Sequence, residues 1–229
     1  MVGVVVAEGA LVNVAVLTLT RDRLAYTQEC FQSLREHAGC DYDHFVLDNG
    51  STDGTLGWLE DGPFRVFPQP ANIGISRGMN LLLNQLDDDY DVVVKIDNDC
   101  LLTQPNTLRG VCELVIEGGC ILSPRILGLR NPPQPTRELR IGDEIIQDVP
   151  QIGGIFLAAP GWVYDEFRYD ESAPLWGMDD VEICRWFRQQ GGTCGYVKRL
   201  EAWHHETTDG QHERFPDYFA ARVAAGGPA

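Results

Sequence analysis

Asp91-Val-Val-Val-Lys-Ile-Asp-Asn-Asp-Cys100 is the stretch on which the reading of the fold turns. Val92 to Val94 and Ile96 are β-branched and almost continuously apolar, the pattern of a strand buried on both faces of a parallel sheet. The run stops at two carboxylates, Asp97 and Asp99, at the strand's carboxyl end. Ligands of open α/β sheets bind along that edge, and two hard oxygen donors there suit a divalent cation shared with a substrate's phosphates. An Asp-x-Asp also arises readily in a chain with 34 acidic residues, so the surrounding sequence must decide between a metal site and a solvated strand end.

Outward toward the N-terminus, strand and helix patterns alternate. Residues 12–19 (VNVAVLTL) read as a buried strand, broken by the polar cluster Thr20-Arg21-Asp22-Arg23. Residues 24–37 carry apolar side chains at helical spacing, among them Tyr26, Cys30, Phe31 and Leu34. Residues 43–47 form a second strand that runs into Asp48-Asn-Gly-Ser-Thr-Asp-Gly54, a dense turn signal able to cap a helix over 55–60. Residues 64–67 are a third strand, stopped by Pro68 and Pro70, and Asn72 to Asn80 opens a helix lasting to about Leu86. Strand, loop and helix thus recur before Asp91, which predicts an α/β fold with a doubly wound, mostly parallel sheet.

Toward the C-terminus the pattern is less regular. A helix is predicted over 105–118, with Pro105 in its first turn, then a short strand over 120–123. Residues 124–135 hold four of the thirteen prolines and read as loop. Gly142-Asp143, between strands over 138–141 and 144–149, is a hairpin signal. Gly153-Gly154 leads into an apolar run over 155–159, and 179–190 is an amphipathic helix closed by Gly191-Gly192. Strands over 194–197 and 201–204 close the fold, and 220–229 reads as a frayed tail.

Composition bounds what such a fold can do. With 229 residues and 44% hydrophobic side chains the chain can bury one sizeable core, so one domain is expected. A net charge of −16 argues against a nucleic-acid backbone or an anionic membrane as partner. It leaves room for a nucleotide, whose few charges a metal and two or three basic side chains can meet. Seven cysteines without a Cys-x-x-Cys pair read as reduced core thiols. No apolar run approaches the ~20 residues of a membrane span, so a soluble, cytoplasmic protein is expected.

Four motifs together resemble those of glycosyltransferase family 2 and its GT-A fold relatives. They are Asp48-Asn-Gly-Ser-Thr-Asp-Gly-Thr55, Asn72-x-Gly74 with Arg77-Gly78-x-Asn80, Asp97-Asn-Asp99, and Trp176-Gly-Met-Asp-Asp-Val-Glu-Ile-Cys-Arg185, in the family's order over residues 12–206. The resemblance implies a GT-A fold: a Rossmann-like, mostly parallel sheet with helices on both faces and a small antiparallel C-terminal part. It implies a nucleotide-binding half over 1–100 and an acceptor-binding, catalytic half over 101–219. It also implies a nucleotide-diphosphate sugar donor, UDP-linked, with Mn²⁺ or Mg²⁺ and inversion at the anomeric carbon, acting on an acceptor that the sequence does not identify.

Residue by residue, the resemblance gives Asp48 a uracil-type base to accept from, while Ser51 and Asp53 read as turn and cap residues. Thr18, Thr20 and Arg21 end the first strand, where they either meet the nucleobase or ribose or form an ordinary turn. Asn72, Gly74, Arg77 and Asn80 combine backbone freedom with a cation beside a helix start, which suits a diphosphate. By resemblance Asp99 is the direct metal ligand and Asp97 holds the ribose or a metal-bound water, with Asn98 between them on the donor side. Lys95 shares Asp97's side of the strand and is either a snorkelling lysine or a phosphate contact. His204 and His205 are candidate third metal ligands; strand alternation lets only one face the site, and His204 is preferred.

The catalytic base is expected within Asp179-Asp180-Val-Glu182, where the family shows Glu-Asp-x-Asp. Asp180 aligns with the base, near a helix amino end whose dipole favours its ionised form, and Asp179 supports it. Glu182 and Arg185 are spaced to pair. On the acceptor side, Trp176 is either a stacking platform or a core aromatic, and Gly154 either permits close approach of a sugar or ends a loop. A nucleotidyltransferase is the rival enzyme, disfavoured because the first strand ends in Thr-Leu-Thr-Arg without a Gly-rich loop. A donor-binding protein without transfer is the other rival.

Overall fold

A computed structural model describes residues 12–86, 89–129, 132–173, 175, 177, 179–205, 208–224 and 226. The first part follows the predicted alternation: β1 (Val14–Thr20), α1 (Leu24–His37), β2 (Asp43–Asp48), α2 (Thr55–Glu60), β3 (Arg65–Pro68), α3 (Ile75–Leu83) and β4 (Val92–Ile96). There follow β5 (Cys100–Leu102), α4 (Thr107–Gly118), β6 (Ile121–Leu127), β7 (Arg137–Ile141), β8 (Glu144–Asp148), β9 (Phe156–Pro160) and α5 (Val163–Glu166). The chain continues through α6 (Asp179–Gln189), β10 (Cys194–His204), α7 (Thr208–Arg214) and α8 (Pro216–Ala224).

The described strands form one sheet in the order β3-β2-β1-β4-β9-β6-β10-β8-β7, with β5 paired to β10. β1 is parallel to β2 as far as Thr20↔Asp48 and parallel to β4 as far as Leu17↔Lys95. The carboxyl ends of three neighbouring strands therefore open along one edge. Alternate residues of β1 face opposite helices: the Thr20 hydroxyl meets Thr27 of α1 at 3.0 Å, whereas Leu19 lies under Gly78 of α3. Helices thus cover both faces, and every residue of β4, Lys95 included, is buried, as its apolar run predicts.

Several elements depart from the sequence reading. β9 runs antiparallel between β4 and β6, starting with Ile96↔Phe156, so the antiparallel part reaches into the middle of the sheet. β6 passes through Pro124 to Leu127. Its pairing with β9 is confined to Leu122↔Ala158, so at Pro124 the strand is paired on one side only, where a missing N–H is tolerated. β10 is one strand, not two, and absorbs a register shift between Val197 and Glu201. β5, unforeseen, pairs His204↔Cys100 and so brings the end of the Asp-x-Asp segment against the last strand.

The hairpin over Gly142-Asp143 forms as predicted, with Ile141↔Glu144 in register. The C-terminal segment is helical: α7 follows β10, and α8 carries the chain through 220–224, part of the stretch expected to fray. Its aromatic spacing, Phe215 to Phe219, is that of an amphipathic helix face. Among the described residues no helix is long and apolar enough to cross a membrane.

Candidate active site

Where β4 ends, Lys95 rather than a carboxylate is the hub. Its Nζ lies 2.9 Å from Asp97 Oδ1, 2.9 Å from Asp179 Oδ2, and donates to the Gly154 carbonyl at 2.6 Å. The side chain is only 4% exposed, against 39% for that of Asp97. Burial disfavours the ammonium, but Asp179 and Asp97 outweigh it and hold Lys95 above its ordinary pKa. Lys95 is buried in the sheet, as one of its two readings had it, and at the floor of the cleft its ammonium is turned to carboxylates. It ties the end of β4 to the start of α6. Gly154 has a packing reason, since a Cβ there would sit 3.0 Å from Lys95 Nζ and 3.4 Å from Asp179 Oδ2.

Asp179, Asp180 and Glu182 occupy the first turn of α6. Asp179 is buried in the pair with Lys95, while Asp180 lines the cleft. Burial and then the charge of Asp179 lift the Asp180 pKa above the usual carboxylate value, against Lys95 and the hydrogen bond from the Val181 N–H. The helix amino end thus does not set the direction of the shift, as the sequence had implied; desolvation wins. Glu182 does not pair with Arg185; its Oε2 accepts from the Asp170 N–H at 3.2 Å.

Around Asp99 a second network closes. Arg23, in the left-handed region at φ 59°, donates to Asp99 Oδ2 at 3.0 Å, to Asn98 Oδ1 at 2.8 Å and to Gln211 Oε1 at 3.1 Å. Its guanidinium stands 4.8 Å from the Tyr218 ring centroid. Asn98 in turn donates to the hydroxyls of Thr20 and Thr27. Although burial opposes it, Arg23 and His204 hold Asp99 below the usual carboxylate range. His204 Nε2 lies 3.6 Å from Asp99 Oδ2, and its pKa is raised: burial pushes it down, but Asp99 outweighs that.

The four-residue metal set drawn from sequence is not brought together. His205 turns away, stacked on Tyr26 at 4.3 Å and paired with Glu29; it directly follows His204, the last residue of β10, and successive residues of an extended chain point to opposite faces. Asp97 is engaged by Lys95, and among the described residues no group of three His, Cys, Asp or Glu side chains converges. Asp99 and His204 remain, an oxygen and an imidazole nitrogen that fit a divalent ion completed by substrate phosphates and water.

Thr20, Arg21, Asn72, Asp97, Asn98, Asp99, Gly154, Asp179, Asp180 and His204 line one cleft of about 430 Å³, roofed by His212, Tyr218, Phe219 and Arg222 of α7 and α8. Other residues expected there lie elsewhere. Thr18 is fully buried, bonded to His44 at 3.0 Å. Asp48 is fully buried; Oδ2 accepts from the Ser51 N–H and Oδ1 has no partner. Arg77 points to the Glu171 carbonyl, and Asn80 clips Tyr169 and Glu171. Gly74, at φ +86°, packs against Leu175 with Arg77 in a side crevice. Trp176 lies outside the described residues.

The sequence reading missed Arg23, taken as part of a strand-breaking cluster, and Gln211. The signal for Gln211 was present, in the helical spacing of Phe215 and Phe219 just beyond it.

Comparison with known proteins agrees with this architecture. The family model described as Glycosyl transferase family 2 matches residues 15–171. No curated protein matches the sequence. Among solved structures, GalNAc-T7 with UDP, GalNAc and Mn²⁺ superposes with a TM-score of 0.70 at 15% identity, over 88% of this chain and 45% of that one. The mannosyltransferase PcManGT from Pyrobaculum calidifontis, in complex with GDP-Man and Mn²⁺, gives 0.70 at 15% identity, over 90% and 60%. S. aureus TarS 1-349 with UDP-GlcNAc gives 0.65 at 14% identity, over 85% and 58%. The chain thus spans 45% to 60% of the length of these three, and the likeness establishes the GT-A fold.

Proposed function

The chain belongs to glycosyl transferase family 2, and from that premise we propose that it moves a sugar from a UDP-linked donor to an acceptor hydroxyl with inversion, using Asp180 as base. The observation that carries this reading is the Lys95 bridge, which holds the start of α6 against the strand-end carboxylates. Asp180 then projects into the same cleft as Asp97 and Asp99. Its raised pKa makes it a stronger acceptor for the proton of an attacking hydroxyl. As the acceptor oxygen bonds to the anomeric carbon from one face, the diphosphate departs from the other, and the hydroxyl proton goes to Asp180.

Asp99 and His204 would hold a Mn²⁺ or Mg²⁺ ion, which when bound supplies positive charge to the departing diphosphate. Asp97 orients the ribose, whereas Asp48, enclosed at the end of β2 and absent from the cleft lining, is given no contact with the nucleobase. Residues 1–100 serve as the nucleotide-binding half and 101–219 as the acceptor half. A cytoplasmic location and an acceptor outside the bilayer complete the proposal, consistent with the thiols of all seven cysteines being free.

The test is a thermal-shift and binding measurement with UDP and UDP-sugars, with and without Mn²⁺. Donor should raise the melting temperature by mass action, and the effect should shrink under chelation and in Asp99→Ala. Undiminished UDP binding in chelator and in that variant would remove the metal from the scheme, and absence of any nucleotide-sugar binding would remove the function.

A further inference from the structure

The cations of the cleft divide into two kinds. Lys95 is committed to Asp97 and Asp179, and Arg23 to Asp99, Asn98 and Gln211. Arg21 and Arg222 are not. Among the described residues Arg222 has no hydrogen bond or ion pair, and its guanidinium only overlies Phe219 at 5.9 Å. Arg21 meets only the carboxylate of its own neighbour Asp22 among the described residues, Nε to Oδ2 at 3.8 Å. Both carry an Nε that is shut off from solvent and makes no hydrogen bond; that of Arg21 has only this ion pair, and that of Arg222 has none among the described residues.

The two also share a location. Both line the cleft and, with Arg23 and Tyr218, a second cavity of about 410 Å³ between the β1–α1 loop and α7–α8. They stand where the two spaces meet. In a chain of net charge −16, carboxylates to satisfy two arginines are plentiful, yet none among the described residues is placed on Arg222. Desolvating a guanidinium N–H without an acceptor is unfavourable, and the arrangement is completed by an anion with several oxygens, which Arg engages through paired N–H groups.

We propose that Arg21, at the end of β1, and Arg222, on the C-terminal helix α8, form a two-sided clamp for the diphosphate of a nucleoside diphosphate. This rests on the nucleotide-sugar reading for the identity of the anion, but not for its charge. It gives α8, which lies beyond the family match ending at residue 171, a role in holding the donor.

Calorimetry with inorganic pyrophosphate, UDP, GDP and uridine on the full chain, as wild type, Arg21→Gln, Arg222→Gln and Arg222→Lys, tests the clamp. Pyrophosphate and nucleoside diphosphate affinity should fall roughly tenfold to a hundredfold in either Gln variant, while uridine binding stays unchanged and reports an intact fold. Arg222→Lys should retain part of the affinity. Unchanged pyrophosphate and UDP binding in both Gln variants overturns the clamp, and if turnover persists the glycosyltransferase reading stands without it. Pyrophosphate binding that depends on both arginines, with no gain from any nucleoside, supports the clamp and sinks the nucleotide donor instead.

Discussion

Asp180 is the residue on which the proposed chemistry is most exposed to test. Asp180→Asn keeps shape and removes basicity, so turnover should fall roughly a hundredfold or more, with donor affinity barely altered; a defect confined to donor affinity would move the base to Glu182 or Asp179. Because burial and Asp179 raise its pKa, wild-type turnover should fall as pH drops through that raised value, with the charge-lost form inactive below it. Lys95 makes a different prediction. Lys95→Met leaves Asp97 and Asp179 without their cation, and breaking such a buried pair costs about 3–5 kcal/mol. Adding Asp179→Asn removes the uncompensated charge, so the double variant should recover part of the loss in denaturant midpoint. Additive losses would show that the bridge carries no coupling.

Elements decide which of these residues meet. α3 presses so closely on the sheet that a Cβ on Gly78 would lie 2.3 Å from Leu19 Cδ2. Gly78→Ala should therefore lower stability by about 1–3 kcal/mol, read as a shifted unfolding midpoint, even though alanine is the better helix former; an unchanged midpoint would mean that Leu19 yields freely. The glycine of the Arg77-Gly78 motif thus serves helix–sheet packing, and Arg77 and Asn80 hold the 169–171 segment. The motif was legible as a helix start. Its residues Arg77, Gly78 and Asn80 were not legible as packing, because nothing local marks which neighbours a helix face will meet. β5 is the complementary case: three residues, too short for periodicity to register, yet they set His204 rather than His205 toward Asp99.

At the scale of the whole molecule, acid stability should report the core. His44 is fully enclosed beside Phe31 and Phe64, bonded to Thr18, and burial lowers its pKa from 6.5 to about 3. The unfolded chain then binds the proton that the folded chain refuses, so this stabilisation is complete above about pH 6.5 and is lost as pH falls toward 3. Between pH 7 and pH 5 the loss is about 2 kcal/mol, seen in the denaturation midpoint and largely missing in His44→Gln; an equal fall in that variant would place the acid sensitivity elsewhere. Strand and helix spacing, turn chemistry and the order of the acidic motifs are properties of short windows, so the sequence by itself determined the parallel half of the sheet, its ligand-binding edge, and Asp99 and Asp180 as residues of that edge. The Lys95 bridge, the pairing of Arg23 with Asp99, the exclusion of Thr18, Asp48, Arg77 and His205 from the cleft, and the meeting of Arg21 with Arg222 of α8 were decided only by the tertiary structure. Each depends on a contact, or the lack of one, between side chains brought together by strand register and helix docking, and no local pattern in the chain encodes such a meeting.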